Sequence, residues 1–456
     1  MPALTDGRLA VVLHSHMPYV EGYGTWPFGE EWLWEAMTSS YLPLVDLLGE
    51  GAALTLSLTP VLCDQLEAQG IPERFRTFLT EMRRTTHALD AEGSRASGRG
   101  DLADEIERAA GDYERALEHY DSIGGDLVGA LAPHAAWTSS ATHAVLPLLA
   151  TTPGVRLQLR AGIDAHRERF GSWGGGFWLP ECAHAPWLDA LLEEAGVHAC
   201  CVDLTDVLGR GDPRHLCPLR TAAGPLLVPV DRQIVELVWH DEGYPSQGAY
   251  RDYHHHTTHH HKPWANDGSV YDRGRALDRA RADARDFVER VRERVAGGGL
   301  CVCALDTELL GHWWYEGMDW LRFVVEEAGD LLVHLDGALP DAAPAPADLP
   351  VTTWGTPRDL STWSGPAVAD IAFAVRNAEL RVLAQGRAVG TRALRELLAL
   401  QASDWAFLAS REAAGPYARE RHRGHLEALE AALAEGGDGP VHNLVPHISR
   451  APLLAP

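Results

Sequence analysis

Residues 176–204 read GFWLPECAHAPWLDALLEEAGVHACCVDL, and this stretch decides the fold. The runs 176–181 and 198–204 are short, apolar and rich in bulky side chains, as strands are. Between them APWLDALLEEAG (185–196) places leucines at helical spacing and ends on a glycine stop. Strand, helix, strand in close succession is a parallel unit, because parallel strands need a crossover connection. The same pattern extends both ways. Strands are expected at LAVVLHSH (9–16), ALTLSLTP (53–60), LLVPVD (226–231), LCVCALD (300–306) and DLLVHLD (330–336). A helix with acid–base pairs at helical spacing is expected over 272–299. Seven or so strands over about 340 residues predict a barrel.

Two zones stand apart from this alternation. Residues 67–125 are polar and helix-rich and read as an insertion on the barrel; residues 365–435 carry Ala, Leu, Arg and Glu at helical period and read as a C-terminal helical bundle. LPDAAPAPADLP (339–350) reads as a linker. The chain has 456 residues and a net charge of −25, from 64 acids against 39 bases. Such a surface repels nucleic acid and anionic lipid and suits a neutral substrate. No apolar run reaches the roughly 20 residues of a membrane span. The start, MPALTDGRLAVVLHSHMPYV, has no basic leader or small-residue cleavage site, so a cytoplasmic location is expected. The seven cysteines show no paired metal-ligand spacing and read as reduced packing residues.

In a parallel barrel, chemistry sits at the C-terminal strand ends. His14, His16, Thr59, Glu181, Asp203, Asp306 and Glu308 all fall there. Two carboxylates flanking a glycosidic bond are the minimum equipment for glycoside chemistry. Glu181 and Asp306 are the best pair, since each follows an apolar strand and sits among aromatics. Phe177, Trp178 and Trp187 surround one; Trp313, Trp314 and Tyr315 follow the other. Flat rings of this kind stack on sugar faces, although any single tryptophan is more often core. HSHMP (14–18) invites a metal reading, with His143, His184, Asp203 and His312 as further ligands. The preferred expectation is no metal and no cofactor, with the histidines binding sugar hydroxyls or fixing the nucleophile. YHHHTTHHH (253–261) reads as a solvated loop.

With these residues quoted, the chain resembles glycoside hydrolase family 57, and within it the 1,4-α-glucan branching enzymes. The motifs that carry the resemblance are LHSHMPYV (13–20) with WPFGEEWLWEAM (26–37), TSSATHAVLPLL (138–149), GFWLPECAH (176–184), ALDTELLGHWWYEG (304–317) and TTWGTP (352–357). DRQIVELVWHDEGYPSQGAYRDY (231–253) resembles the segment with a mobile active-site loop, and LLALQASDWAFL (397–408) the C-terminal helical domain. The resemblance spans nearly the whole chain. Three features depart from the family pattern. Ala135 stands where the family carries Glu, Ser39 where an acid is expected, and histidines follow Tyr253 where aromatic and basic residues are expected.

The resemblance implies a distorted (β/α)7 barrel over residues 1–355, with an insertion at about 67–125, a lid at about 232–270 and a helical domain at 365–440. It implies a retaining mechanism with Glu181 as nucleophile and Asp306 as general acid/base, the carboxyls about 5–5.5 Å apart. Tyr244 is the expected lid aromatic. His14, His16, Trp26, His143, His312 and Trp405 are the expected substrate-binding residues. The implied partner is an α-glucan, and the oligomeric state is left open. An α-glucan hydrolase or 4-α-glucanotransferase on the same site is the first alternative. A glucan-binding protein with little catalysis and a metal-dependent hydrolase are the others.

Overall fold

The computed structural model describes residues 6–222, 224–339 and 341–454. Residues 1–5, on which the reading of the chain's start partly rests, and Pro340 of the expected linker lie outside that range. Nine strands form one sheet among the described residues. They are β1 (Gly7–Ser15), β2 (Thr55–Leu58), β3 (Ala135–Ser139), β4 (Gly176–Trp178), β5 (Ala199–Val202), β6 (Leu219–Arg220), β7 (Leu226–Pro229), β8 (Gly299–Asp306) and β9 (Ala343–Pro344). The order is β8-β1-β2-β3-β4-β5-β7-β6-β9. The first seven in that order pair in parallel, and β6 lies antiparallel on β7. The sheet curls until the Asp231 N–H, just past β7, donates to the Val302 carbonyl of β8. Seven parallel strands brought round in this way make the distorted (β/α)7 barrel.

The central strand explains the curl's solidity. From Leu9 to Ser15 every residue of β1 is buried, as a strand covered on both faces requires. The helix Arg273–Arg294 turns its apolar side to the barrel through Ala276, Ala280, Ala284, Phe287 and Val291, and Gly299 opens the next strand. The helices Arg84–Ala96 and Gly100–Ser122 form the insertion region. Beyond the barrel, helices Ala369–Ala384, Thr391–Leu400, Ser403–Ser410 and Tyr417–Glu435 share a core with Tyr19, Val61 and Leu157 of the barrel.

Three details differ from the expectation. The run 330–336 is no strand: it is a 3-10 turn (Gly329–Leu331) and the start of a short helix (Leu335–Ala338). It touches the sheet through the Val333 N–H, which donates to the Leu9 carbonyl. Strand β3 and the two-residue strands β6 and β9 were not anticipated. All seven cysteines are unpaired, and six are buried. No described helix is long and apolar enough to cross a membrane.

Candidate active site

Register places the site. His14 of β1 lies directly beside Asp306 of β8 on one side and Ser57 of β2 on the other. Partners in parallel register project to the same face, so the three side chains share the C-terminal mouth of the barrel. β4 delivers Glu181 after a sharp turn. There the chain enters the left-handed region at Glu181 (φ 62°, ψ 23°), and Cys182 follows it. A non-glycine residue held in this way costs on the order of 1–3 kcal/mol and marks functional turns. The motif TTWGTP clamps it: the Trp354 N–H and the Thr353 hydroxyl both donate to the Glu181 carbonyl.

The Glu181 carboxyl is held from two sides. The Trp354 indole donates to Oε2 at 3.1 Å and the Ser403 hydroxyl to Oε1 at 3.3 Å. Burial pushes its pKa up to about 7, with Asp404 adding to the rise. The hydrogen bonds from Trp354 and Ser403, and the charge on His16, pull the other way. Asp306 ends β8 and is held well above the usual carboxylate range, first by burial, then by the charges of Glu308 and Glu181. Glu308 accepts the Tyr41 hydroxyl and the His16 backbone N–H, and burial pushes it to about 7.

Three imidazoles stack above this pair. His14 and His143 lie with ring centroids 5.0 Å apart, His16 and His143 3.9 Å apart, and Trp178 stacks on His14 at 4.5 Å. Burial lowers the pKa of His14 and His143 well below the usual imidazole value, so both are neutral near pH 7. His16 is raised despite burial, because Asp404 lies 2.9 Å from its Nε2. The proton positions follow once Glu181 is ionised. A carboxylate can only accept, so Ser403 donates to it. Ser403 then accepts from His143 Nδ1 at 2.9 Å, which leaves His143 Nε2 bare to accept from His14 Nε2 at 2.9 Å. His14 Nδ1 in turn accepts from Ser57 at 3.3 Å. This chain fixes every ring tautomer. It also commits the Nε2 atoms of His14, His143 and His16 to protein partners, and no cluster of three or more His, Cys, Asp or Glu among the described residues is arranged to hold a metal ion.

The expected residues divide. Glu181, Asp306, His14, His16 and His143 come together here. Trp26 and His312 lie instead on a neighbouring cavity of about 680 Å3. Two expectations are corrected. Tyr244 is buried on the outside of the barrel, where its hydroxyl donates to Asp286 on the helix Arg273–Arg294 and its ring packs by Trp320. Trp405 is wholly buried in the helical core, its indole donating to the Ala399 carbonyl. Its neighbours Ser403 and Asp404 are the ones that reach the site. Sequence reasoning missed these two, gave Trp354 no role although its motif was in view, and left Glu308 unassigned beside Asp306.

The cavity is lined by Trp26, Glu31, Glu35, Arg83 and Tyr113 together with Tyr253, Lys262, His312 and Trp313. Ser39 lines it and donates to the Glu35 backbone carbonyl one helical turn earlier, and Glu35 lines the same cavity. Ala135 starts β3 at the opposite end of the barrel from Glu181, so its lack of a carboxylate leaves the site untouched. The histidine run is a loop, as expected, with His254, His255, His256 and His260 exposed. Its far end is anchored on the insertion: His259 pairs with Asp90 and His261 is buried against His87. His255 stacks on Trp264 and His260 meets Trp26 edge-on.

Comparison with known proteins agrees with this geometry. Residues 136–336 match the model of glycosyl hydrolase family 57, and residues 370–443 match that of the 1,4-alpha-glucan branching enzyme C-terminal region. A probable 1,4-alpha-glucan branching enzyme of Mycobacterium tuberculosis is 31% identical, over 94% of this chain and 93% of that protein. The chain belongs to glycosyl hydrolase family 57. Within the family, the crystal structure of a branching enzyme from Pyrococcus horikoshii superposes with a TM-score of 0.87 at 28% identity, covering 98% of this chain and 97% of that one. That of the Thermococcus kodakarensis branching enzyme, in complex with glucose, gives 0.86 at 27%, covering 98% and 96%.

Proposed function

We propose that this family 57 chain is a retaining 1,4-α-glucan branching enzyme, which cleaves an α-1,4 linkage and transfers the released chain to a glucan O6. One observation carries the reading. Glu181 sits in a strained turn with two donors on its carboxyl, while the register partner of His14, Asp306, is held well above the usual carboxylate range by burial and by Glu308. Environments that push two carboxyls into different roles are how acid and nucleophile are told apart.

In this mechanism Glu181 attacks the anomeric carbon as Asp306 protonates the leaving oxygen. Bond formation removes the negative charge on Glu181, and with it part of what holds the Asp306 proton. Asp306, already ionised by giving its proton to the leaving oxygen, therefore stays ionised; it takes the proton of the incoming hydroxyl as that oxygen displaces the Glu181 carboxylate from the anomeric carbon. The donors Trp354 and Ser403 hold the Glu181 carboxyl, and the hydrogen-bonded chain from Ser57 through His14 and His143 to Ser403 fixes that donor in place. The proposed division of labour places the chemistry in a barrel over 1–355, the walls in the insertion at 67–125 and the segment 232–270, and Ser403 with Asp404 in a helical domain over 365–440. Unpaired buried cysteines support a reducing, cytoplasmic setting; a glycogen-like storage glucan is the product this reading favours.

A second reading, an α-glucan hydrolase on the same site, gains from the burial of Tyr244 away from the mouth, which leaves the expected lid aromatic without contact to the site. Amylose incubated with the protein decides between them. New α-1,6 signals by proton NMR with few new reducing ends, lost in Glu181→Ala, are expected. Reducing ends without branches would make the protein a hydrolase.

A further inference from the structure

Of the 39 lysine and arginine residues, one is lysine. It is Lys262, and it lines the cavity that also holds Trp26 and His312. A chain so biased toward arginine would carry arginine here too, unless the position requires a compact ammonium on a flexible stem.

The surroundings leave that ammonium available. Its Nζ lies 3.5 Å from the centroid of the Tyr253 ring, and Tyr253 meets Trp313 at 4.7 Å. Glu35, the carboxylate that most favours its charge, is already engaged by Arg83 and by the Tyr113 hydroxyl. No ion pair or hydrogen bond within the protein takes up Lys262 among the described residues. Burial, with Arg251 and Arg83 nearby, draws its pKa down to about 8. Trp313 is half exposed into the same space. The wall follows Asp306 along the chain through Gly311, His312 and Trp313, whereas the residues that support Glu181 (Trp354 and Ser403) do not line it.

We propose that Lys262 donates hydrogen bonds to hydroxyls of the acceptor glucan, which stacks on Tyr253 and Trp313 as it approaches Asp306. The assignment rests on the branching reading. The acceptor must come to the group that removes its proton, and the segment that runs on from Asp306 lines this cavity at Gly311, His312 and Trp313, although neither carboxyl itself does. A planar guanidinium, longer and fixed in its fork, would crowd the sugar instead of following its hydroxyls.

A lone lysine makes the test direct. Reductive methylation with 13C-formaldehyde labels Lys262 and the α-amine, and dimethylation keeps the charge. In a Glu181→Gln background, where glucan binds without turnover, maltoheptaose is expected to shift the Lys262 methyl resonance in a saturable way. In unlabelled protein, Lys262→Met is expected to lower the ratio of new α-1,6 linkages to new reducing ends about tenfold, the worth of one charged hydrogen bond, and Lys262→Arg is expected not to restore it. A methyl resonance unmoved by saturating maltoheptaose, or a ratio unchanged in a folded Lys262→Met protein, would overturn the assignment. If Lys262→Met fails to fold, the resonance alone decides. Absence of α-1,6 product from the wild type would instead overturn the branching reading itself.

Discussion

The barrel mouth and the cavity beside it are built on different principles. At the mouth, each polar side chain is pinned by strand register or by two partners: His14 by Ser57 and His143, Glu308 by Tyr41 and the His16 N–H, Glu181 by Trp354 and Ser403. In the cavity, Lys262 rides on an exposed histidine loop anchored to the insertion through His259 and His261, and several of its groups face open space. The difference teaches where precision is needed. Bond making tolerates little displacement and is fixed by backbone register; choice among acceptors is delegated to connecting segments, which can vary without disturbing the strands.

The predictions test that contrast, from the largest effect to the smallest. Glu181→Ala or Asp306→Ala should lower kcat for branching by about four orders of magnitude, because nucleophile and acid act as a unit. A loss of tenfold or less in either would break the account of the mouth. Ser403→Ala should cost about tenfold in kcat by removing one donor to the carboxylate. Because that donor lowers the Glu181 pKa, its loss should also move the acid limb of the kcat–pH profile to higher pH.

Glu308→Gln sharpens the comparison through charge alone. Glu308 is the charge that most raises Asp306. Without it Asp306 should lose its proton more readily, so the alkaline limb should move to lower pH; an alkaline limb that stays in place would exclude Glu308 from this role. The same burial has a stability consequence. Glu181 is pushed to about 7, above its ordinary 4.5, so the folded state holds the proton more tightly than the unfolded state. Its ionisation therefore costs stability as pH rises through that window, and below about pH 4 the penalty is absent. Glu181→Gln should raise stability at pH 8 on the order of 2 kcal/mol and change it little at pH 4, read as Tm. The smallest effect belongs outside both regions. Tyr244→Phe should remove one hydrogen bond to Asp286, costing about 1 kcal/mol, with branching nearly unchanged.

The two regions were also unequally legible. Strands β1, β2, β4, β5, β7 and β8, with Glu181 and Asp306 at two of their ends, follow from local apolar runs. Strand β3 is short and begins with two alanines, and β6 and β9 have two residues each, so none carries a periodic signal. The apolar run 330–336 looked like a strand because burial against Leu9 selects the same residues in a turn. Tyr244 and Trp405 were expected at the site and are buried away from it, because residue type does not say which way a ring faces. Ser403 and Asp404 come from a helix more than two hundred residues after Glu181, and only tertiary packing brings them to it. The histidine run is the exposed loop its composition suggests; its anchoring through His259 and His261 was not legible because Asp90 and His87 lie on the insertion.

The central claim is that Glu181 is the nucleophile of a covalent glycosyl intermediate whose turnover needs Asp306. The most direct test is to trap it: Asp306→Ala protein incubated with a maltosyl fluoride, which needs no acid to leave, then digested and analysed by mass spectrometry. The account predicts a glycosyl adduct on the peptide containing Glu181, absent in the Glu181→Gln, Asp306→Ala double variant. An adduct on another residue, or none while the fluoride is still consumed, would contradict it.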